Sequence, residues 1–202
     1  MTIRRLVPAL AVLVVLSGLA AGGAAAWSWV GRTREIRAAQ HRLSQDLDAR
    51  WAADRPAAAT GPVARLHLPT LRLDLVVLGG AGGHDRDRGP ALVPGTAAIG
   101  AAGNTGVAGE RRPGVFWDLD RLGIGDPVVL ETRESWFVYR VIEARVVRPD
   151  DGTALAPPPP GAGPLLTLVT PEPRLSTARR LIRQATLVRR DARGGPRPTE
   201  LA

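Results

Sequence analysis

The stretch LLTLVTPEP, Leu165–Pro173, decides the fold class. Its first six residues are aliphatic or Thr, the composition of a strand buried on both faces. It ends on a proline, which has no N–H to give to a ladder. A buried strand needs neighbours, and the chain supplies them. ARLHLPTLRLDLVVLGG (64–80) alternates apolar and polar residues as half-buried strands do, with Pro69 demanding an edge or a break. PVVLETRE (127–134) and WFVYRVIEARVV (136–147) look like two strands of a meander, and LLTLVT (165–170) and RQATLVRR (183–190) like two more. Short strands separated by Gly, Pro and Asp turns, with few helical stretches, predict an all-β domain, a closed or nearly closed barrel. APPPPGAG (156–163) is too proline-rich for a strand and is expected to be a surface loop. From Asp191 on the tail is polar and rich in Arg, Gly and Pro, and is expected to be disordered.

Outward to the N-terminus the pattern changes twice. From Thr33 to Asp54, Ile36, Leu43, Leu47 and Trp51 recur at seven- and four-residue steps among charges, an amphipathic helix with a narrow apolar stripe. A plain stalk or a self-association seam would both use such a stripe. PAAATGP (56–62) reads as a linker. The run Leu6–Gly31 carries no charge, and a helix of that length, at about 1.5 Å per residue, crosses a hydrocarbon core of about 30 Å. Trp27 and Trp29 suit an interfacial belt, while Arg4, Arg5 and Ala24–Ala26 would equally suit a cleaved signal peptide. Either reading exports the remainder of the chain. The expected organisation is a cytoplasmic tail and membrane segment (1–31), a helical stalk and linker (32–62), a β-barrel (63–190) and a disordered tail (191–202).

Among 202 residues, 45% are hydrophobic but only 4% aromatic, so the core must be aliphatic. All 27 basic residues are Arg, and the net charge of +8 favours anionic partners such as acidic lipid or cell-wall polymer. No zinc spacing, aromatic stacking platform or recognition helix points to nucleic acid. Cysteine is absent, which excludes disulfides, thiolate metal sites and thiol nucleophiles together. Asp85, Asp87, Asp150 and Asp151 fall in turns, where Asp accepts backbone hydrogen bonds; a Ca²⁺ site is the alternative use. Gly79–Gly83 lacks the Lys-Ser/Thr of a phosphate loop. No cofactor is expected.

Five segments taken in order resemble the sortase family, specifically the class E sortases of actinobacteria. They are ARLHLPTLRLDLVVLGG, RGPALVPGTAAIGAAGNTGVAGERR, GVFWDLDRLGIGDPVVLET, YRVIEARVVRPDD and LLTLVTPEPRLSTARRLI. The resemblance covers about 63–190 and implies an eight-stranded barrel, here preceded by the membrane helix and stalk. It also implies a cysteine transpeptidase acting on LPxTG- or LAxTG-type sorting signals. In such enzymes a thiolate attacks, a histidine protonates the leaving amine and an arginine holds the oxyanion.

On this resemblance Pro171 stands where the cysteine belongs, after Thr167-Leu168-Val169-Thr170. Glu110, between Gly109 and Arg111, stands where the histidine belongs, and Arg180 matches the arginine, with Arg179 its nearest rival. His41, His67 and His84 lie in the stalk, the first strand and a Gly-rich turn. The expected protein is therefore an anchored, extracytoplasmic, inactive sortase homologue that binds a sorting-signal peptide or a cell-wall partner. One alternative is an enzyme with a Thr170 nucleophile, Glu110 as base and Arg180 on the oxyanion. Another is a structural protein whose Arg-rich surface binds wall polymer. A Glu110–Arg180 ion pair is expected in the cleft, against both side chains pointing into solvent.

Overall fold

The computed structural model describes residues 31, 33–55, 61–80 and 88–202. The membrane segment apart from Gly31, the linker at 56–60 and the turn carrying His84, Asp85 and Asp87 lie outside the described residues. Helix α1 covers 33–52. Eight strands come after it: β1 (Pro62–Leu68), β2 (Leu73–Leu78), β3 (Ala91–Leu92), β4 (Asn104–Ala108), β5 (Pro127–Glu131), β6 (Ser135–Val147), β7 (Leu165–Glu172) and β8 (Arg179–Ala192). They close into a barrel in the order β1-β2-β3-β4-β7-β8-β6-β5. The pairs β2–β3 and β4–β7 are parallel and the rest antiparallel. Pro69 makes the expected break, a single 3-10 turn (Pro69–Leu71) between β1 and β2.

The interior is aliphatic, as the scarcity of aromatics required, with Phe116, Phe137 and Tyr139 as its large rings. β7 is buried from Leu166 to Leu168 and at Thr170 because β4 and β8 flank it in register, Leu168 opposite both Val107 and Arg183. Residues 156–163 are the expected loop. Asn104 ties that loop to the barrel by donating to the Ala156 carbonyl at 3.1 Å and accepting from the Thr167 hydroxyl at 2.8 Å.

Two expectations are corrected. The helix is not a free stalk. β2 meets β3 only at Leu78, so most of its outer edge is open, and α1 covers that edge. Gln40 accepts from the Val76 N–H at 2.7 Å and donates to the Arg88 carbonyl at 2.8 Å. Leu43 and Leu47 bury against Val76, Leu78 and Ala91, and Ile36 joins the main core. The narrow stripe belongs to the barrel's own packing, which removes a strand edge from solvent. Nor is the tail disordered. β8 runs to Ala192, and Glu200 then pairs with Arg189 at 2.8 Å and with Arg140 at 3.2 Å. Leu201 packs on the Val129–Trp136–Val138 cluster. A few specific contacts outweigh a composition that looked unstructured.

Candidate functional site

β4, β7 and β8 end together at one pole of the barrel, and they bring the candidate residues there. Pro171 is opposite Arg180 in the β7–β8 ladder. The Gly109 N–H donates to the Val169 carbonyl at 3.0 Å, extending the β4–β7 pairing by one residue and setting Glu110 beside the end of β7. Gly109 is required there, since a Cβ would lie 2.6 Å from the Phe116 ring. The Glu110 carbonyl then accepts from the N–H groups of Arg112 and Phe116, at 2.9 and 3.2 Å, which folds 110–116 into a tight turn.

Between this turn and the β7–β8 loop lies a groove of about 350 Å³. It is lined by residues 110–113 of the turn, Pro171 at the end of β7, residues 175–177 of the loop, and Thr33 and Ile36 of α1. Leu175 has φ +66 and is 79% exposed. A bulky side chain held in the left-handed region without burial is strained, and such strain gathers at binding sites.

Of the four candidate residues, the structure places Glu110 and Pro171 in the groove wall and leaves Arg180 and Thr170 out of it. Arg180 donates from Nη1 to the carbonyls of Thr177 and Arg179, at 3.3 and 3.2 Å. No ion pair joins it to Glu110 among the described residues, so the expected pair is replaced by backbone contacts. Backbone carbonyls of its own loop lie closer to the guanidinium than the carboxylate across the groove. Thr170, next to Pro171, faces the opposite way as strand alternation demands. It is 1% exposed and its hydroxyl has no hydrogen-bond partner among the described residues. Asp150 and Asp151 do turn work: one pairs with Arg148, and the other accepts from the Thr153 N–H at 2.9 Å.

The charge pairing that the cleft does contain lies one residue beyond Glu110 and Pro171, at Arg111 and Glu172, to which the sequence reading gave no role. Arg111 is buried beneath the groove, with Nη1 2.6 Å from Glu172, Nη2 2.9 Å from Asp120 and Nε donating to the Trp117 carbonyl at 2.9 Å. Every arm of its guanidinium is engaged, so its buried charge is compensated. Arg174 continues the cluster, 3.2 Å from Asp118 and stacked 4.6 Å from the centre of the Trp117 ring. Arg111 thus ties the turn after β4 to the end of β7.

A family model described as a sortase domain matches residues 66–188. The chain belongs to the sortase family. It is 32% identical over 108 residues to Sortase SrtE1 of Streptomyces coelicolor, a match that takes in 50% of this chain and 31% of that relative. The chain therefore matches about a third of that curated relative's length. Among solved structures it is similar to Sortase E1 from S. coelicolor with a tripeptide in the active site. There the TM-score is 0.65 and identity 28%, over 73% of this chain and 99% of that one. It is also similar to sortase E from Streptomyces avermitilis, with TM-score 0.62 and 30% identity over 70% and 97% of the two chains. SrtF from Corynebacterium diphtheriae, at 24% identity and TM-score 0.66 over 72% and 94%, shares the fold. This sortase domain resembles class E and contains no cysteine.

Proposed function

We propose that the protein is a pseudosortase: a membrane-anchored barrel that holds a sorting-signal-type peptide in the 110–113/171–177 groove without cleaving it. The observation that carries this reading is Pro171 in the lining of the groove, in a chain with no cysteine. Proline offers no nucleophile and no N–H for an oxyanion. The groove walls are still suited to an extended peptide. Pro113, Pro171, Leu175 and Ile36 present apolar surface, and Glu110 stands at the rim for a polar end. The tripeptide in S. coelicolor Sortase E1 makes a peptide the natural ligand class to test. Exposed Leu175 is the side chain that binding would cover.

The Thr170 chemistry is the weaker reading, because its hydroxyl is buried outside the groove. A wall-polymer scaffold is the alternative in which the groove is vestigial; binding would then weaken steeply with salt, as peptide binding should not.

The test uses the full chain in detergent, since a barrel cut at residue 61 would lose α1 from its core. LPxTG- and LAxTG-type peptides are titrated while Trp fluorescence reports binding and mass spectrometry reports cleavage. Saturable binding of intact peptide, weakened by Leu175→Asp, is the expected result. Cleaved peptide would sink the pseudoenzyme reading, and no binding would leave the groove without its ligand.

A further inference from the structure

The far half of β6 is an open strand edge. β5 accompanies β6 only as far as Pro127 opposite Arg140. Val141 is then held by the turn before β5, accepting from Gly125 at 2.8 Å and donating to Asp126 at 3.0 Å. The β6–β8 ladder shifts register between Val141 and Glu143, a bulge that bends the strand away from β5. From Ile142 to Val147, β8 lines one side, and no backbone partner lines the other among the described residues. Edges of this kind are templates for pairing unless short length, charge, a bulge, proline or a cover blunts them.

This edge has apolar side chains in place of a cover. Three of the most exposed large hydrophobics cluster there: Ile142 at 47%, Val146 at 45%, and Ile124, on the turn beside Val141, at 73%. The charges between them are of opposite sign. Glu143 and Arg145 project from the same face, 3.3 Å apart.

We propose that this edge pairs with a second copy of the same chain, antiparallel and centred on Ala144. In that register Ala144 faces its own counterpart, Ile142 faces Val146 of the partner subunit, and Glu143 faces Arg145 of the partner subunit. Moving the centre one residue back sets Glu143 opposite itself, and one residue forward sets Arg145 opposite itself. Like charges directly opposite are destabilising, so charge disfavours both neighbouring registers. The two-fold axis makes the contact isologous and closed, which yields a dimer and not a fibre. No residue from 142 to 147 lines the groove, so the inference does not depend on what the groove binds.

The absence of cysteine gives a clean test in the full chain, in native membranes or detergent. Ala144→Cys introduces one thiol at the dyad, where cross-strand Cβ atoms stand about 4.5–5.5 Å apart and close to disulfide reach. Arg148→Cys is the control. In the same register its two copies are offset by eight residues, about 26 Å along the strand. Mild oxidation should convert most of the Ala144→Cys protein to a disulfide dimer, with at least tenfold less from Arg148→Cys. Adding Glu143→Arg to Ala144→Cys should cut the yield about tenfold, and adding Arg145→Glu to that pair should restore it. Light scattering on the unaltered chain in detergent should give the mass of a dimer. Equal cross-linking from both cysteines, indifference to the charge reversal, a monomer mass, or cross-links to a different protein would each overturn the proposal.

Discussion

At the residue scale, Pro171 and Thr170 show how strand alternation assigns roles. Pro171 faces the groove and can do nothing there chemically. Thr170 faces the core with an unpaired hydroxyl. An unmet buried hydroxyl costs about 1–3 kcal/mol, so Thr170→Val is expected to raise stability by about 1 kcal/mol in a denaturant titration. If Thr170 were a nucleophile, the same change would abolish cleavage of the test peptides. Glu110 and Pro171 both line the groove, so Pro171→Cys combined with Glu110→His sets a thiol and an imidazole in the same groove. Slow peptide cleavage, detected as a thioacyl adduct by intact mass, is the expected gain. A folded but inert double variant would place the fault at Arg180, whose guanidinium is turned onto the Thr177 and Arg179 carbonyls. Nothing in the sequence marked that turning, because it depends on the path of the β7–β8 loop.

At the element scale, His67 joins four parts of the chain. Its Nδ1 is 2.7 Å from Asp74 on β2 and its Nε2 3.2 Å from Glu131 on β5, while Arg193 of the tail reaches Glu131 at 2.8 Å. Arg65 and Arg193 both stack on Trp51 of α1, 5.1 and 4.5 Å from its ring centre. Burial pulls the His67 pKa down, but the hydrogen bonds and charges of Asp74 and Glu131 outweigh it and hold the pKa above 6.5. The hydrogen bond from His67 lowers Asp74 below 3.8, against its burial. Burial raises Glu131, and its bonds to His67 and Arg193 more than reverse that, leaving it below 4.5. The raised histidine stabilises fully below about pH 6.5, and that contribution fades as pH rises through its folded value. The lowered carboxylates stabilise above about pH 4.5, and theirs fades as pH falls. Thermal stability should therefore be greatest between about pH 4.5 and 6.5, and His67→Gln should flatten the alkaline limb of a Tm–pH profile. A limb unchanged by that substitution would assign the pH response elsewhere. The sequence placed His67 on a strand, but Asp74, Glu131 and Arg193 meet it only through the barrel's closure.

At the scale of the whole molecule, the apolar run Leu6–Gly31 leads directly into α1, and α1 is fastened to the barrel. If that run spans the membrane, the groove, whose lining includes Thr33 and Ile36, lies within about two helical turns of the bilayer surface, roughly 11 Å. Protease added to intact cells should then digest the barrel while leaving a short membrane-protected fragment; full protection would put the barrel inside. Strands β1, β2 and β5 to β8, the break at Pro69, the aliphatic core and the absence of a thiol were legible in the sequence, whereas the short β3 and the Gly-bearing β4 were not. Each legible feature depends on local periodicity or on the residue types themselves. What covers the β2 edge, what orders the Arg-rich tail, which charges pair beneath the groove and which way Arg180 points were not. Those are contacts between residues tens of positions apart, Arg111 with Glu172 or Gln40 with Val76, and only the closed barrel brings such partners within reach. Residue types and their spacing were enough to set six of the eight strands and to remove the thiol. Which side chains face the groove was left to the folded barrel, because facing is a property of neighbours in space.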